Sequence, residues 1–190
     1  MSNELHKGVS ATAVVLENET VVNVAGLLKE LVGAVRRYRV ALDWFALDHD
    51  LMARDVAADV RFTRTTDGIL VTGRAHGLAL LECVRCLEPY DEPFSVEVEQ
   101  LYRPVIDVRG GEPVVYADAD AEIEALSIDS SHELDLTEAL RQGVLVELPM
   151  RPVCGDDCTG WDEDDELDGE PGDRRLAALA SLLDEDDESE

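Results

Sequence analysis

The pattern of apolar and polar positions changes period twice along the chain. Residues 1–20 show no sustained period and read as an irregular or strand-like lead-in. After Asn23, a candidate cap, Val24, Leu27, Leu28, Leu31, Val32 and Val35 recur at helical spacing. Gly33 weakens that helix without forbidding it. Arg36, Arg37, Tyr38 and Arg39 then fall at its end, where cations suit the outward-pointing carbonyls. The apolar patch at 40–47 fits either a strand or a continuation of the helix.

From Val56 the period becomes two. Val60 and Phe62 alternate with Arg61 and Thr63, and Asp67-Gly68 signals a type I′ hairpin turn because both residues tolerate positive φ. Ile69, Val71, Gly73 and Ala75 then share one strand face. Phe94, Val96 and Val98, alternating with Ser95, Glu97 and Glu99, make the clearest strand. Gly110-Gly111 predicts a further hairpin between 104–108 and 113–116, with a polar loop at 117–121.

Near Asp135 the period returns to 3.6. Asp135 and Glu138 stand at capping-box spacing, and Leu136, Leu140, Val144 and Leu148 form an apolar stripe that Pro149 and Pro152 end. Beyond the acidic stretch 161–172, Asp173 can cap a last short helix carrying Leu176, Leu179, Leu182 and Leu183. These leucines either dock on the parent fold or bind a partner groove. Helix, strands, helix predicts an α+β fold: a mainly antiparallel sheet with a few packed helices and an acidic C-terminal extension. The expected division is one α+β domain over 1–160 and an acidic tail with a short amphipathic helix over 161–190.

Charge changes the picture. The 190 residues hold 16 Lys+Arg and 43 Asp+Glu, a net −27, and the last forty carry 3 basic against 16 acidic side chains. Such a field repels polyanions and attracts cationic partners, which disfavours a generic nucleic-acid binder. The cluster Arg36, Arg37, Tyr38, Arg39 is the local exception. It could meet RNA phosphate with an aromatic stacking group, although a solvated helix terminus is the simpler account. No export signal is read, and no run approaches the roughly 18 apolar residues of a spanning helix, so the cytoplasm is expected.

In that compartment thiols stay reduced. All four cysteines fall in two close pairs, Cys83-Val-Arg-Cys86 and Cys154-Gly-Asp-Asp-Cys158, separated by 67 residues. Four thiolates at these spacings suit one tetrahedral zinc, closed and structural, that would form only through tertiary folding. Inert reduced thiols or a C-x2-C redox pair are the alternatives. His76, seven residues before Cys83, is a further candidate ligand, though a strand-face histidine is commoner; His6, His49 and His132 are scattered. No G-x-S-x-G, H-E-x-x-H, Walker A or G-x-G-x-x-G arrangement occurs, and the carboxylates are too dense to single out a catalytic pair, so an enzyme is not expected.

Three stretches carry a resemblance: Glu82-Cys83-Val84-Arg85-Cys86-Leu87-Glu88-Pro89; Glu133-Leu134-Asp135-Leu136 with its helix to Leu148-Pro149-Met150-Arg151-Pro152-Val153-Cys154; and Cys158-Thr159-Gly160. Together with Asp173-Arg174-Arg175-Leu176-Ala177-Ala178-Leu179, they resemble the bacterial YceD family of large-subunit ribosomal RNA accumulation proteins, from about Val56 to Leu183. Many relatives carry a further C-x2-C-G where this chain has Trp161-Asp162-Glu163-Asp164-Asp165. The resemblance implies a non-enzymatic role in accumulation or maturation of large-subunit ribosomal RNA, through a large-subunit precursor or a basic ribosomal protein. The acidic segments 156–173 and 184–190 are suited to shield such a cation, raising association rate more than final affinity. The competing readings are a zinc-stabilised acidic adaptor unrelated to ribosomes and, third, a C-x2-C oxidoreductase.

Overall fold

The computed structural model describes residues 13–116, 125–158 and 160. In chain order its elements are β1 (Val14–Glu17), β2 (Val21–Asn23), α1 (Ala25–Lys29), β3 (Val35–Ala46), β4 (Met52–Arg64), β5 (Ile69–Glu82), β6 (Pro89–Pro104), β7 (Leu126–Ile128), β8 (Glu133–Asp135) and α2 (Thr137–Glu147). Strands β3 to β6 form a long antiparallel meander. At its two edges β1 pairs parallel with β3 and β7 parallel with β6, giving a six-stranded mixed sheet in the order β1-β3-β4-β5-β6-β7. A separate antiparallel pair joins β2 to β8.

Alternation decides which face is buried. Val40, Leu42, Val60, Phe62, Val71, Ala75, Phe94, Val96 and Val98 point inward, and α2 closes this side by packing on β6 with Leu136, Leu140 and Val144 buried. The Tyr102 hydroxyl reaches from β6 to the Asp135 carbonyl oxygen at 3.0 Å, and the Leu136 N–H donates to the Thr20 carbonyl at 3.0 Å. The first bond ties the small β2–β8 pair to the main sheet, and the second extends that pair by one more backbone bond. Among the described residues no helix is long and apolar enough to cross a membrane.

The helix-containing α+β architecture with a mainly antiparallel sheet is therefore corrected. The described residues are mostly strand, the sheet is mixed, and the two helices span only 5 and 11 residues. The largest revision lies at 24–39. The helix there ends at Lys29; Leu31 and Val32 are 86 % and 64 % exposed, so the apolar stripe does not continue into the core. Gly33 takes φ 94°, a left-handed turn that reverses the chain, and its N–H donates to the Arg64 carbonyl. Arg36, Arg37 and Arg39 consequently lie on a strand, not at a helix end. Tyr38, Val40 and Leu42 alternate inward opposite β4, and that period of two overrides the helical spacing before it.

The β4–β5 hairpin turns at Asp67-Gly68 as expected, but neither residue has positive φ. The turn is a four-residue loop closed by the Thr65 N–H to the Gly68 carbonyl at 2.9 Å. Glycine is required at 68 because a Cβ would collide with the Tyr102 carbonyl oxygen. The turn at Gly110-Gly111 also forms, with Gly111 at φ 69°, yet joins only a single bridge between Ile106 and Pro113. Asp135 Oδ1 accepts from the Thr137 N–H at 2.8 Å, while Glu138 pairs forward with Arg141 and Gln142 instead of reaching back as a capping box would. The polar loop and the final helix, with the acidic tail, lie outside the described residues.

Candidate metal centre

The two cysteine pairs meet at one end of the sheet. The first occupies the β5–β6 hairpin, whose last ladder pair is Glu82 with Pro89. Within that turn the Cys83 N–H donates to the Glu88 carbonyl and the Leu87 N–H to the Cys83 carbonyl, at 3.0 and 2.9 Å. Leu87, next to Cys86, is held at φ 61°, a costly conformation for a leucine that the closed turn enforces. The second pair follows α2. Leu148 is already extended, Pro149 and Pro152 prevent further helix, and the Val84 N–H donates to the Pro152 carbonyl at 2.9 Å. Gly160 then packs beside Arg85.

This docking interleaves the ligands. Cys83 Sγ lies 3.7 Å from Cys158 Sγ, and Cys86 Sγ lies 3.8 Å from Cys154 Sγ. All four sulfurs lie within 4.8 Å of one another. A tetrahedral site with metal–sulfur bonds of about 2.3 Å has edges of about 3.8 Å, whereas a disulfide would need about 2.0 Å. The cysteines are free thiols, and the four can hold one metal ion. Such a site is closed: every tetrahedral position is filled by sulfur, so none remains for water or substrate.

The local electrostatics fit a thiolate cluster. The backbone N–H groups of Cys86, Cys154 and Arg85 are directed at Cys83 Sγ and hold that buried thiol down at about 6. Cys154 is pushed up to about 12 by the neighbouring thiol of Cys158 and by burial. Without metal, Cys83 gives up its proton readily, whereas the thiols of Cys86 and Cys154 are shifted upward and hold theirs; a cation would displace those protons. Nearby, burial pushes the Tyr90 phenol up to about 12. Neither Tyr90 nor the positive φ of Leu87 belongs to a metal-binding motif, so no sequence signal marks them.

The structure separates the other candidates from this centre. His76 is exposed on β5, seven residues and about 23 Å of strand away; His49 is exposed at the β3–β4 turn and His132 lies between β7 and β8. Tyr38 is buried and packs on Phe62 with ring centroids 4.6 Å apart, so it is not free to stack on a base. Arg36 pairs with Glu30 at 2.6 Å and Arg39 with Asp59 at 2.9 Å.

The uncharacterized protein Rv2926c of Mycobacterium tuberculosis is 28 % identical over 122 residues, covering 64 % of this chain and 54 % of that protein. The uncharacterized protein YlbN of Bacillus subtilis is 26 % identical over 144 residues, covering 70 % of this chain and 74 % of that one. The chain thus spans about half the length of the mycobacterial relative. No solved structure matches. Residues 71–183, which contain all four cysteines, match the family described as large ribosomal RNA subunit accumulation protein YceD, beginning later than Val56 but ending at Leu183. With more than half of its length matched, the chain belongs to the YceD family.

Proposed function

We propose that this protein is a non-enzymatic ribosome-assembly factor. It supports accumulation or maturation of large-subunit ribosomal RNA by binding a basic ribosomal protein or a large-subunit precursor particle. Membership of the YceD family carries this reading, because the family is described by ribosomal RNA accumulation. Two physical features support a role in binding. The net charge of −27 favours cationic partners and speeds their encounter. The cysteine cluster offers a closed site, suited to holding a fold together. Its ion in this proposal is one zinc on Cys83, Cys86, Cys154 and Cys158, which ties the β5–β6 hairpin to the chain after α2. The cytoplasm, which keeps the thiols reduced, suits that chemistry.

Sedimentation of the tagged full chain through a gradient of cell extract tests the assembly role, followed by pull-down at low and high salt with RNA and protein both identified. Co-migration with large-subunit precursors and salt-sensitive capture of a basic ribosomal protein are expected. Recovery of only non-ribosomal cationic proteins, with nothing in the precursor fractions, would replace the proposal with a zinc-stabilised adaptor.

A further inference from the structure

The outward face of the main sheet carries its charges in rows across β3, β4, β5 and β6. One row, Arg39–Asp59–Arg74–Glu97, alternates in sign, and both ion pairs form, at 2.9 and 2.6 Å. The adjoining row, Arg37–Arg61–Thr72–Glu99, sets two guanidinium groups directly opposite each other. Arg37 and Arg61 are both exposed, and neither has an ion-pair partner among the described residues. Like charges facing each other weaken an antiparallel pair. In a chain with 43 carboxylates, this unneutralised pair does not serve stability.

A second feature lies on the same face. Trp44 is in register with Arg54 and Leu78 and is 60 % exposed. Between it and the charged rows lie the small side chains Ala41, Ala57 and Ser95, with His76. Trp44 lies seven positions along β3 from Arg37, about 23 Å of strand, a span that a few nucleotides cover. The α2 helix packs on the opposite, inward side, where Gly143 faces Val96.

We infer that this open sheet face binds single-stranded ribosomal RNA, with Arg37 and Arg61 receiving backbone phosphates and Trp44 stacking a base. The inference rests on the assembly role and adds a direct RNA contact to it. Such a contact is compatible with the acidic whole because charges beyond about 8 Å are screened at physiological salt. Nearly half of the acidic excess lies in the last forty residues. Two phosphates and one base make a local contact, unlike the long basic stripe of a generic nucleic-acid binder.

Fluorescence anisotropy of a labelled twelve-nucleotide oligouridylate, titrated with the full chain at several salt concentrations, tests this. Two phosphate contacts predict a slope of log affinity against log salt near −1.4, from about −0.7 per phosphate on a single strand. Arg37→Thr/Arg61→Thr should lower affinity about tenfold at low salt and flatten that slope, with the melting temperature unchanged or raised because a repulsion is removed. Trp44→Ala should weaken binding about fivefold or more and leave the slope intact. Absence of binding by the wild type at low salt, or equal binding by the double arginine variant, would overturn the inference. So would displacement of RNA by poly-glutamate charge for charge, which would make the face a site for acidic protein. Co-migration with precursors without oligonucleotide binding would remove this surface and leave the assembly role standing. Oligonucleotide binding by a protein absent from precursors would do the reverse.

Discussion

Cys83 and Cys154 lie 71 positions apart in sequence, yet both belong to one four-sulfur cluster. If one zinc occupies it, Cys83→Ser and Cys154→Ser should each remove the metal and lower the melting temperature by similar amounts, read by metal analysis and thermal denaturation. Unequal, small shifts with metal retained would mean that the thiols act as separate packing groups. Gly68 makes a contrasting case. Its φ is ordinary, and the demand for glycine comes from the Tyr102 backbone on β6, 34 positions on in sequence but adjacent in the sheet. Gly68→Ala should destabilise the protein by more than about 1 kcal/mol in denaturant titrations, since the carbonyl it would strike is backbone and cannot swing aside.

Elements show how two periodicities compete. The stripe of α2 is continuous and buried, so Leu140→Ala should cost roughly 2–5 kcal/mol, measured by chemical denaturation. The candidate stripe at 24–35 looks comparable in sequence but loses Leu31 and Val32 to solvent once the chain reverses at Gly33. At the start of α2, hydrogen bonds from Arg141 and Gln142 hold the Glu138 carboxyl well below the usual carboxylate range, at about 2. A depressed carboxylate stabilises the fold fully above its unfolded pKa and loses that contribution as pH falls through the folded value. Glu138→Gln should therefore flatten the stability curve between about pH 4.5 and 2. The pair is partly exposed and screened by solvent, so the loss at neutral pH should be only some tenths of a kcal/mol.

For the molecule as a whole, the four-cysteine cluster closes a loop from β5 through β6, β7, β8 and α2 back to the hairpin. A metal bound only by the folded state stabilises that state by mass action. Purified protein is expected to contain about one zinc per chain, and a chelator should lower its melting temperature. Metal-free protein with the same melting temperature would refute the structural zinc and leave the assembly role intact. Among the described residues no element packs on the sheet's outward face, where Arg37, Arg61 and Trp44 stand exposed.

Local features follow from the order of residues alone: the period-two strands around Phe62, Val71 and Val96, the hairpin at Asp67-Gly68, the stripe of α2 and its proline stop, and the two cysteine pairs with their family likeness. These are legible because they depend on neighbours a few positions apart. The number and direction of strands were not. Whether β1 and β7 join the sheet parallel or antiparallel depends on how distant segments return to its edges, and period two is the same in either case. The limit at Lys29 likewise needed the β3–β4 pairing, which draws 35–46 into strand. Only the tertiary structure could bring Cys86 beside Cys154 or set Arg37 against Arg61, because both juxtapositions join segments whose separation is fixed by folding and not by spacing along the chain.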